Sequence, residues 1–201
     1  MALKLREGVT LYFSRHGETE ANIKHQFSGV KDTPLTPKGE QQARDIGRIL
    51  ARELGPAPKL DYVCSPLQRA KTTMQLVRLS AGLPRLGYHT DPRLEEIDLG
   101  VWDQLTDAEA RALDPEIFER RAADKWHVRV PGGENYADVA HRLEEFIADV
   151  DRDTFAISHG AATRILRGLF AGLSWQDMSN LDETQGVVFC VRNNTVVRFD
   201  P

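Results

Sequence analysis

The stretch VTLYFSRHGETEAN, residues 9–22, decides how the rest of the chain is interpreted. Its first half is an apolar run rich in β-branched and aromatic residues, which predicts a buried strand. The run stops abruptly at Arg15, His16 and Gly17. A strand that ends in a cation and an imidazole indicates a functional site at its carboxyl end.

The same pattern returns at residues 153–160, DTFAISHG, where another apolar strand ends in His159 and Gly160. In an open α/β sheet, ligands bind outside the carboxyl ends of the strands. If the two strands are neighbours, the imidazoles of His16 and His159 face one crevice. We interpret each glycine after a histidine as the residue that lets the backbone turn sharply into the next element.

Strand and helix patterns alternate along the chain, which predicts a three-layer α/β/α fold with a mostly parallel central sheet. The predicted strands are 9–14, 60–64, 86–90 and 154–158, and the predicted helices are 36–54, 65–82, 106–114, 134–150 and 161–171. GVVFCV and TVVRF, joined by Asn193-Asn194, predict an antiparallel edge hairpin with a type I′ turn. We expect one domain over residues 1–201.

Arg69 lies in the first turn of a predicted helix. The preceding Ser65-Pro66-Leu67-Gln68 has the pattern of a capping box with a proline at the first helical position. The helix dipole disfavours a cation there, although a solvent-facing arginine is tolerated. Because this helix also follows a parallel strand, Arg69 and Arg15 can bind a tetrahedral oxyanion bidentately. Two arginines and two histidines around one crevice indicate a phosphate pocket.

Composition and charge exclude several classes of function. The chain has 201 residues and a formal net charge of −4, which argues against nucleic acid or an anionic membrane as the main partner. No apolar run is long enough to span a bilayer. Cys64 and Cys190 lie in apolar runs and are expected to be buried free thiols in a reducing cytoplasm.

A metal centre is the competing interpretation of the histidines. Zinc requires three or four ligands, and Arg15 next to His16 would repel a divalent cation. The other four histidines show no ligand spacing. We therefore expect neither a metal nor another cofactor.

Together these motifs resemble the histidine phosphatase superfamily, also called the phosphoglycerate mutase-like family, over nearly the whole chain. The matching motifs follow the family's order: Arg15-His16-Gly17-Glu18-Thr19 with Asn22, Ser28-Gly29, Asp32-Thr33-Pro34-Leu35-Thr36, Ser65-Pro66-Leu67-Gln68-Arg69-Ala70, Arg93-Leu94-Glu95-Glu96-Ile97, Pro131-Gly132-Gly133-Glu134 and Ser158-His159-Gly160. The resemblance implies a phosphoglycerate mutase-like fold and phosphoryl chemistry.

The resemblance also implies the roles of individual residues. His16 would be the nucleophile that becomes phosphohistidine, and the groups that hold the phosphoryl oxygens would be Arg15, Arg69 and His159. The substrate site would be completed by Asn22, Ser28, Gly29 and Gly160. A neutral imidazole is nucleophilic, and the cations offset charge in the transition state.

The general acid must be chosen between the adjacent Glu95 and Glu96. The family's acid lies two residues after Leu94 and four before Gly100, which selects Glu96. An enclosed carboxyl group can keep its proton and give it to the leaving alkoxide. Two departures concern the substrate side: Trp102-Asp103-Gln104 replaces Trp-Glu-Gly, and Asn135 replaces Ser.

The segment 103–133 lies between the acid and the Gly-Gly-Glu turn and is expected to form a lid over the substrate. Its basic and aromatic residues are Arg120, Arg121, Lys125, Trp126 and His127. For each of these, a solvated helix face with one buried tryptophan is an equal alternative.

Three functions fit these motifs. The compact lid favours a hydrolase acting on a small phosphorylated substrate, since cofactor-dependent mutases of the family have a longer insertion. Arg120 and Arg121 keep a phosphoglycerate mutase as the alternative, because mutases use lid arginines to retain a bisphosphate. A non-catalytic phosphate-binding domain is disfavoured, because nucleophile, arginines, second histidine and acid are all present.

Overall fold

A computed structural model describes residues 3–193 and 195–201 of the chain. Its strands are β1 (Leu11–Arg15), β2 (Asp61–Cys64), β3 (His89–Thr90), β4 (Thr154–Ser158), β5 (Val188–Arg192) and β6 (Thr195–Phe199). They form one sheet in the order β3-β2-β4-β1-β5-β6. β3, β2, β4 and β1 are parallel, whereas β5 runs antiparallel to β1 and β6 antiparallel to β5. The predicted mostly parallel sheet with an antiparallel edge hairpin is confirmed.

The helices are α1 (Glu20–Ile23), α2 (Pro37–Leu54), α3 (Gln68–Ser80), α4 (Asp107–Leu113), α5 (Pro115–Ala123), α6 (Tyr136–Asp149), α7 (Gly160–Ala171) and α8 (Trp175–Ser179). The helices α1, α5 and α8 were not predicted, and the strand expected at 86–90 is reduced to β3. The predicted type I′ turn includes Asn194, which lies outside the described residues. Within the described ranges, no helix is long and apolar enough to cross a membrane.

The sheet separates two hydrophobic cores because successive strand residues point to opposite faces. Leu11 and Phe13 of β1 pack in the core that contains buried residues of α6 and α7. Tyr12 packs in the other core, with buried residues of α2 and α3. Each fully buried side chain of this kind stabilises the fold by roughly 1.5–3 kcal/mol. The strand ends that carry the histidines are therefore fixed from both faces.

The two cysteines belong to this framework. Cys64 in β2 and Cys190 in β5 are both buried and unpaired, as predicted. Burial raises the pKa of the Cys64 thiol to about 12, so it remains protonated and unreactive.

The N-terminus of α3 differs from the prediction. The helix begins at Gln68, and no capping box forms at Ser65, whose Oγ accepts only from the Leu67 N–H at 3.3 Å. The carboxylate of Asp32 accepts instead from the main-chain N–H of Gln68 at 2.6 Å and of Arg69 at 3.2 Å. A residue distant in sequence therefore caps α3 and joins it to the loop before α2.

The glycines after the histidines have another role than predicted. Neither Gly17 nor Gly160 has a positive φ, so a special turn conformation is not the reason for glycine. A Cβ on Gly17 would overlap the main chain of Gly39, and a Cβ on Gly160 would overlap the Glu183 carboxylate. Gly17 needs to be glycine because main chain approaches closely, whereas the group that approaches Gly160 is the end of a side chain and can shift.

Candidate active site

Pairing of β1 with β4 brings the two histidines together. Arg15 lies opposite Ser158 in the parallel register, and the His16 N–H donates to the Ser158 carbonyl at 2.9 Å. The rings of His16 and His159 are both buried, with centroids 5.0 Å apart in an edge-to-face arrangement. The expectation that the two strands are neighbours is confirmed, and the two imidazoles lie side by side.

The hydrogen bonds of His16 define its tautomer. Its Nδ1 lies 2.7 Å from the Gly17 carbonyl oxygen, which can only accept, so Nδ1 carries the hydrogen and Nε2 a free lone pair. Burial, and then the charges of Arg69 and Arg15, lower the pKa of His16 well below its ordinary value. The ring is therefore neutral and nucleophilic at Nε2.

His159 has the complementary tautomer. Its Nδ1 accepts from Nε of Arg69 at 3.3 Å, which places the hydrogen of the neutral ring on Nε2. Burial, followed by the charge of Arg69, lowers the pKa of this histidine well below its ordinary value. Nε2 is buried and finds no hydrogen-bond partner among the residues described. The Nε2–H of His159 is therefore a buried hydrogen-bond donor without a partner in the described structure.

Arg69 is almost fully buried and is engaged by the protein at each of its nitrogens. Besides His159, the acceptors of its guanidinium are the carbonyls of Ser28, Gly29 and Lys31, at 3.2, 2.6 and 2.8 Å, and the carboxylate of Asp32 at 3.2 Å. Arg69 thus fixes both this loop and the orientation of His159. Contact with a phosphoryl oxygen requires that one of these bonds be exchanged.

Arg15 lies at the end of β1 beside a carboxylate that the sequence did not reveal. Its Nη1 donates to the main-chain carbonyl of Glu183 at 2.7 Å and lies 3.5 Å from the carboxylate of the same residue. That carboxylate also pairs with Nη2 of Arg164 at 3.0 Å. Arg164 follows Gly160 by about one turn of α7, so helical spacing could have indicated it. Glu183 lies in an irregular segment and belongs to no motif.

Glu96 is the buried carboxyl group of the site. Its Oε1 accepts from the Ile97 N–H at 3.0 Å and its Oε2 from the Ala161 N–H at 3.3 Å. Burial raises its pKa, and the charge of Glu183 raises it further. These surroundings favour a protonated Glu96, which a general acid requires.

The loop that carries Glu96 is held by Arg142 of α6. The guanidinium donates to the carbonyls of Arg93, Glu95 and Glu96 at 2.7, 2.8 and 3.1 Å. Arg142 is itself paired with Glu134 at 3.1 Å. The Gly-Gly-Glu motif therefore acts on the acid indirectly, because its glutamate orients the arginine that holds the loop.

The two departures from the family pattern keep local structure intact. Asp103 accepts from the main-chain N–H of Gly29 at 2.9 Å and of Lys31 at 3.0 Å, so it supports the loop that Arg69 binds. Gln104 has a φ of 73°, in the left-handed region that glycine adopts at lower cost. Asn135 accepts from the Asp138 N–H at 2.9 Å and is an effective N-cap of α6.

A cavity of about 390 Å³ opens over these groups. Of the residues expected to contact substrate, Arg15, His16, Asn22, Ser28 and Glu96 line it. The others are not among the lining residues: Gly29, Arg69, His159 and Gly160. The Oγ of Ser28 is buried and unpaired within the described structure, so it remains available to a ligand.

The walls of the cavity combine aromatic and cationic side chains. Phe27 stacks on Trp102 with ring centroids 5.8 Å apart, and Phe118 packs at a tilt against Trp102 with centroids 5.6 Å apart. Arg121 and Lys125 also line the cavity, and so do Asp107, Tyr136, Arg164 and Glu183. Arg121 is buried, and its Nε has no hydrogen-bond partner in the described part of the chain.

The remaining basic and aromatic residues of the segment 103–133 do not line this cavity. Arg120 is exposed and lies 3.6 Å from Glu116, while the exposed His127 packs against Trp175 with centroids 5.6 Å apart. Trp126 is partly buried against the core. The surroundings of these three residues fit the alternative role, in which they are solvent-exposed or packed on the protein surface and do not contact substrate.

Comparison with known proteins agrees with this geometry. A family model described as the histidine phosphatase superfamily (branch 1) matches residues 11–195. Rat 6-phosphofructo-2-kinase/fructose-2,6-bisphosphatase 3 is 32% identical over 174 residues, covering 86% of this chain and 29% of that protein. The chain thus spans only about a third of the length of such relatives. The adenosylcobalamin/α-ribazole phosphatase of Salmonella typhimurium is 33% identical over 164 residues, covering 79% of this chain and 77% of that protein.

Solved structures show the same relationship over nearly full length. A putative α-ribazole-5′-P phosphatase from Escherichia coli superposes with a TM-score of 0.80 at 26% identity, covering 96% of this chain and 95% of the other. A mycobacterial glucosyl-3-phosphoglycerate phosphatase in complex with VO3 gives a TM-score of 0.76 at 26% identity, with 96% of both chains covered. Because the family model spans most of the chain, the chain belongs to the histidine phosphatase superfamily, branch 1.

Proposed function

We propose that the protein hydrolyses a small phosphomonoester through a phosphohistidine intermediate on Nε2 of His16. The pair of complementary tautomers carries this proposal: Nε2 of His16 offers a lone pair, whereas Nε2 of His159 offers a hydrogen. A nucleophile and an oxyanion donor in one buried crevice are what phosphoryl transfer requires.

The reaction proceeds in two steps. Nε2 of His16 attacks phosphorus, the bond to the ester oxygen breaks, and Glu96 gives its proton to the departing alkoxide. The Glu96 carboxylate then removes a proton from water, which attacks phosphohistidine and releases inorganic phosphate. Arg15 and the Nε2–H of His159 stabilise the charge on the phosphoryl oxygens in both steps.

Residues 1–201 form one domain in this proposal, with the segment 103–133 as a lid. Asp107 of α4, Phe118 and Arg121 of α5, and Lys125 contribute to the cavity wall and support this role. A lid of this kind excludes bulk water once the substrate is bound.

The lid also supports a class of substrate. Burial, and then the charges of Arg164 and Arg121, lower the pKa of Lys125, so cations are concentrated at this wall. A second anionic group on the substrate would pair with these cationic side chains and stabilise their charged forms. A small phosphorylated metabolite with a second anionic group is the substrate we propose, and a bisphosphatase stands among the relatives.

The cell compartment and cofactor use follow the same reasoning. We infer a cytoplasmic location, which two buried unpaired cysteines support. We also propose that the protein needs no metal, because the arginines provide the positive charge, and activity should persist after dialysis against a strong chelator.

The experiment that tests this function is a screen of phosphometabolites in which released phosphate and isomerised product are both measured. We expect net phosphate release without a bisphosphate primer. Rapid interconversion of 2- and 3-phosphoglycerate that depends on 2,3-bisphosphoglycerate would instead establish the mutase, whose lid must protect phosphohistidine from water. Binding without either product would indicate a non-catalytic domain.

A further inference from the structure

Glu183 places a negative charge inside the anion-binding cavity. It lines the same cavity as His16, and its carboxylate lies against Gly160 at the N-terminus of α7. One carboxylate oxygen is 3.0 Å from Arg164 and the other is 3.5 Å from Arg15. A carboxylate in this position competes with the charge that the phosphoryl site is built to bind.

The segment around Glu183 is anchored on both sides of the residue. Its own carbonyl accepts from Arg15 at 2.7 Å. Nε2 of Gln185 donates to the His16 carbonyl and to Oδ1 of Asn22, at 3.1 Å in both cases. Because the side chain is also paired with two arginines, the carboxylate is a fixed feature of the wall.

Both terminal nitrogens of Arg164 are engaged by the protein. Its Nη2 pairs with Glu183, while its Nη1 donates to the hydroxyl of Tyr136 at 2.9 Å. On this side of the cavity, a substrate therefore meets a hydrogen-bond acceptor with a negative charge. Arg121, whose Nε has no hydrogen-bond partner in the described part of the chain, and Lys125 also line the cavity.

We propose that Glu183 determines specificity at the position next to the ester: it rejects an anionic substituent on the ester-bearing carbon and accepts a hydroxymethyl group there. This inference rests on the proposed function and refines its substrate class. A hydroxyl donates to the carboxylate, whereas a second carboxylate is repelled in a partly desolvated site. The second anionic group of the substrate must then lie farther from the scissile phosphate, toward Arg121 and Lys125.

Glycerol 2-phosphate and 2-phosphoglycerate test this inference directly. They differ at one substituent of the ester-bearing carbon, which is a hydroxymethyl group in the first and a carboxylate in the second. We expect the wild-type protein to prefer glycerol 2-phosphate in kcat/KM by about tenfold or more, the effect of one adjacent like charge. Glu183→Gln keeps the shape and the main-chain contact with Arg15, and it should reduce the preference to about threefold or less.

Asp182→Asn is the matched control. Asp182 is the preceding residue, but it pairs with Arg167 at 3.2 Å and does not line the cavity. Loss of the Asp182 charge should leave the ratio of kcat/KM for the two compounds unchanged. An unchanged ratio in Glu183→Gln, or the same reduction in Asp182→Asn, would overturn the inference.

A binding measurement separates this inference from the proposed function. Calorimetric titration of both compounds into His16→Ala, with and without Glu183→Gln, gives the ratio of affinities without turnover. A ratio that falls on removal of the charge supports the inference even if the phosphometabolite screen finds no hydrolysis, in which case the proposed function alone fails. Equal ratios in the two proteins contradict the inference, and failure of both compounds to bind contradicts both proposals.

Discussion

At the scale of single residues, burial assigns protonation states that an amino-acid sequence does not display. Unperturbed, a neutral histidine and a protonated glutamate require opposite pH ranges, near 6.5 and above versus about 4.3 and below. Burial lowers the pKa of His16 and raises that of Glu96. The two shifts move these pH ranges toward each other, and the proposed mechanism requires that they overlap. Phosphoenzyme formation should therefore fall as pH drops through the pKa of His16 and as it rises through the pKa of Glu96.

The role of Glu96 can be tested through the basicity of the leaving group. An alkoxide needs a proton as it departs, and general acid help is worth roughly 10²–10⁴-fold. Nitrophenolate is a weak base and leaves without it. In single-turnover kinetics, Glu96→Gln should therefore slow phosphoenzyme formation far more with an alkyl phosphate than with p-nitrophenyl phosphate.

Glu95→Gln is the control for this experiment. Glu95 contributes its carbonyl to Arg142, and this bond survives the change of side chain. Glu95→Gln should leave the rate of phosphoenzyme formation unchanged with both substrates. Equal losses for the two substrates in Glu96→Gln would remove Glu96 from the acid role, and a leaving-group dependence in Glu95→Gln would transfer that role to its neighbour.

Site residues that belong to short motifs were predictable from the sequence. Those whose role depends on contacts between distant parts of the chain were not. His16, Arg15, Glu96 and His159 follow from local patterns that the structure brings together. Glu183 enters the site from an irregular segment, and no local spacing marks it. Its role depends on contacts with Arg15 and Arg164, which only the folded chain creates.

At the scale of elements, the cap of α3 connects stability with the site. Local sequence suggested Ser65, because a serine followed by proline and glutamine commonly starts a helix. The cap is instead Asp32, which also pairs with the guanidinium of Arg69 at 3.2 Å. Whether a distant carboxylate reaches a helix end depends on tertiary packing, so this feature could not be predicted locally.

Asp32→Ala should destabilise the protein and also weaken anion binding. Loss of an N-cap carboxylate costs about 0.5–2 kcal/mol in the free energy of unfolding, measurable by urea titration. Vanadate affinity should decrease as well, because Arg69 and His159 lose part of their support. Ser65→Ala removes one weaker hydrogen bond and should cost less in both measurements. A larger effect of Ser65→Ala would contradict this assignment of the cap.

At the scale of the whole molecule, sheet topology collects residues from separate parts of the chain. The neighbouring positions of β1 and β4 bring His16 and His159 together, and two cores hold the sheet from either side. Fold class was predictable because strand and helix patterns alternate. The cost of this arrangement is that two ionisable rings are buried in their neutral form.

This burial predicts how stability depends on pH. The unfolded chain binds protons at His16 and His159 near pH 6.5, whereas the lowered folded-state pKa values delay protonation of the native protein. The free energy of unfolding should therefore fall as pH decreases below 6.5, by at most about 1.4 kcal/mol per pH unit for each histidine.

Urea unfolding at about pH 7.5 and 5.5 measures this dependence. A variant with both His16→Gln and His159→Gln retains Glu96 and the other titrating groups, so it serves as the reference. The wild-type protein should lose more stability than this variant between the two pH values. Parallel losses in the two proteins would show that the histidines are not held neutral by the fold.

The central claim is that His16 carries the phosphoryl group during turnover, and trapping the intermediate tests it most directly. The protein is mixed with radiolabelled substrate, quenched in alkali, in which phosphohistidine survives, and the label is located by peptide mapping. We predict a transient label on His16 that forms and decays at rates compatible with turnover and is absent from a folded His16→Ala variant. A label on another residue, or near wild-type hydrolysis by His16→Ala, would contradict this account.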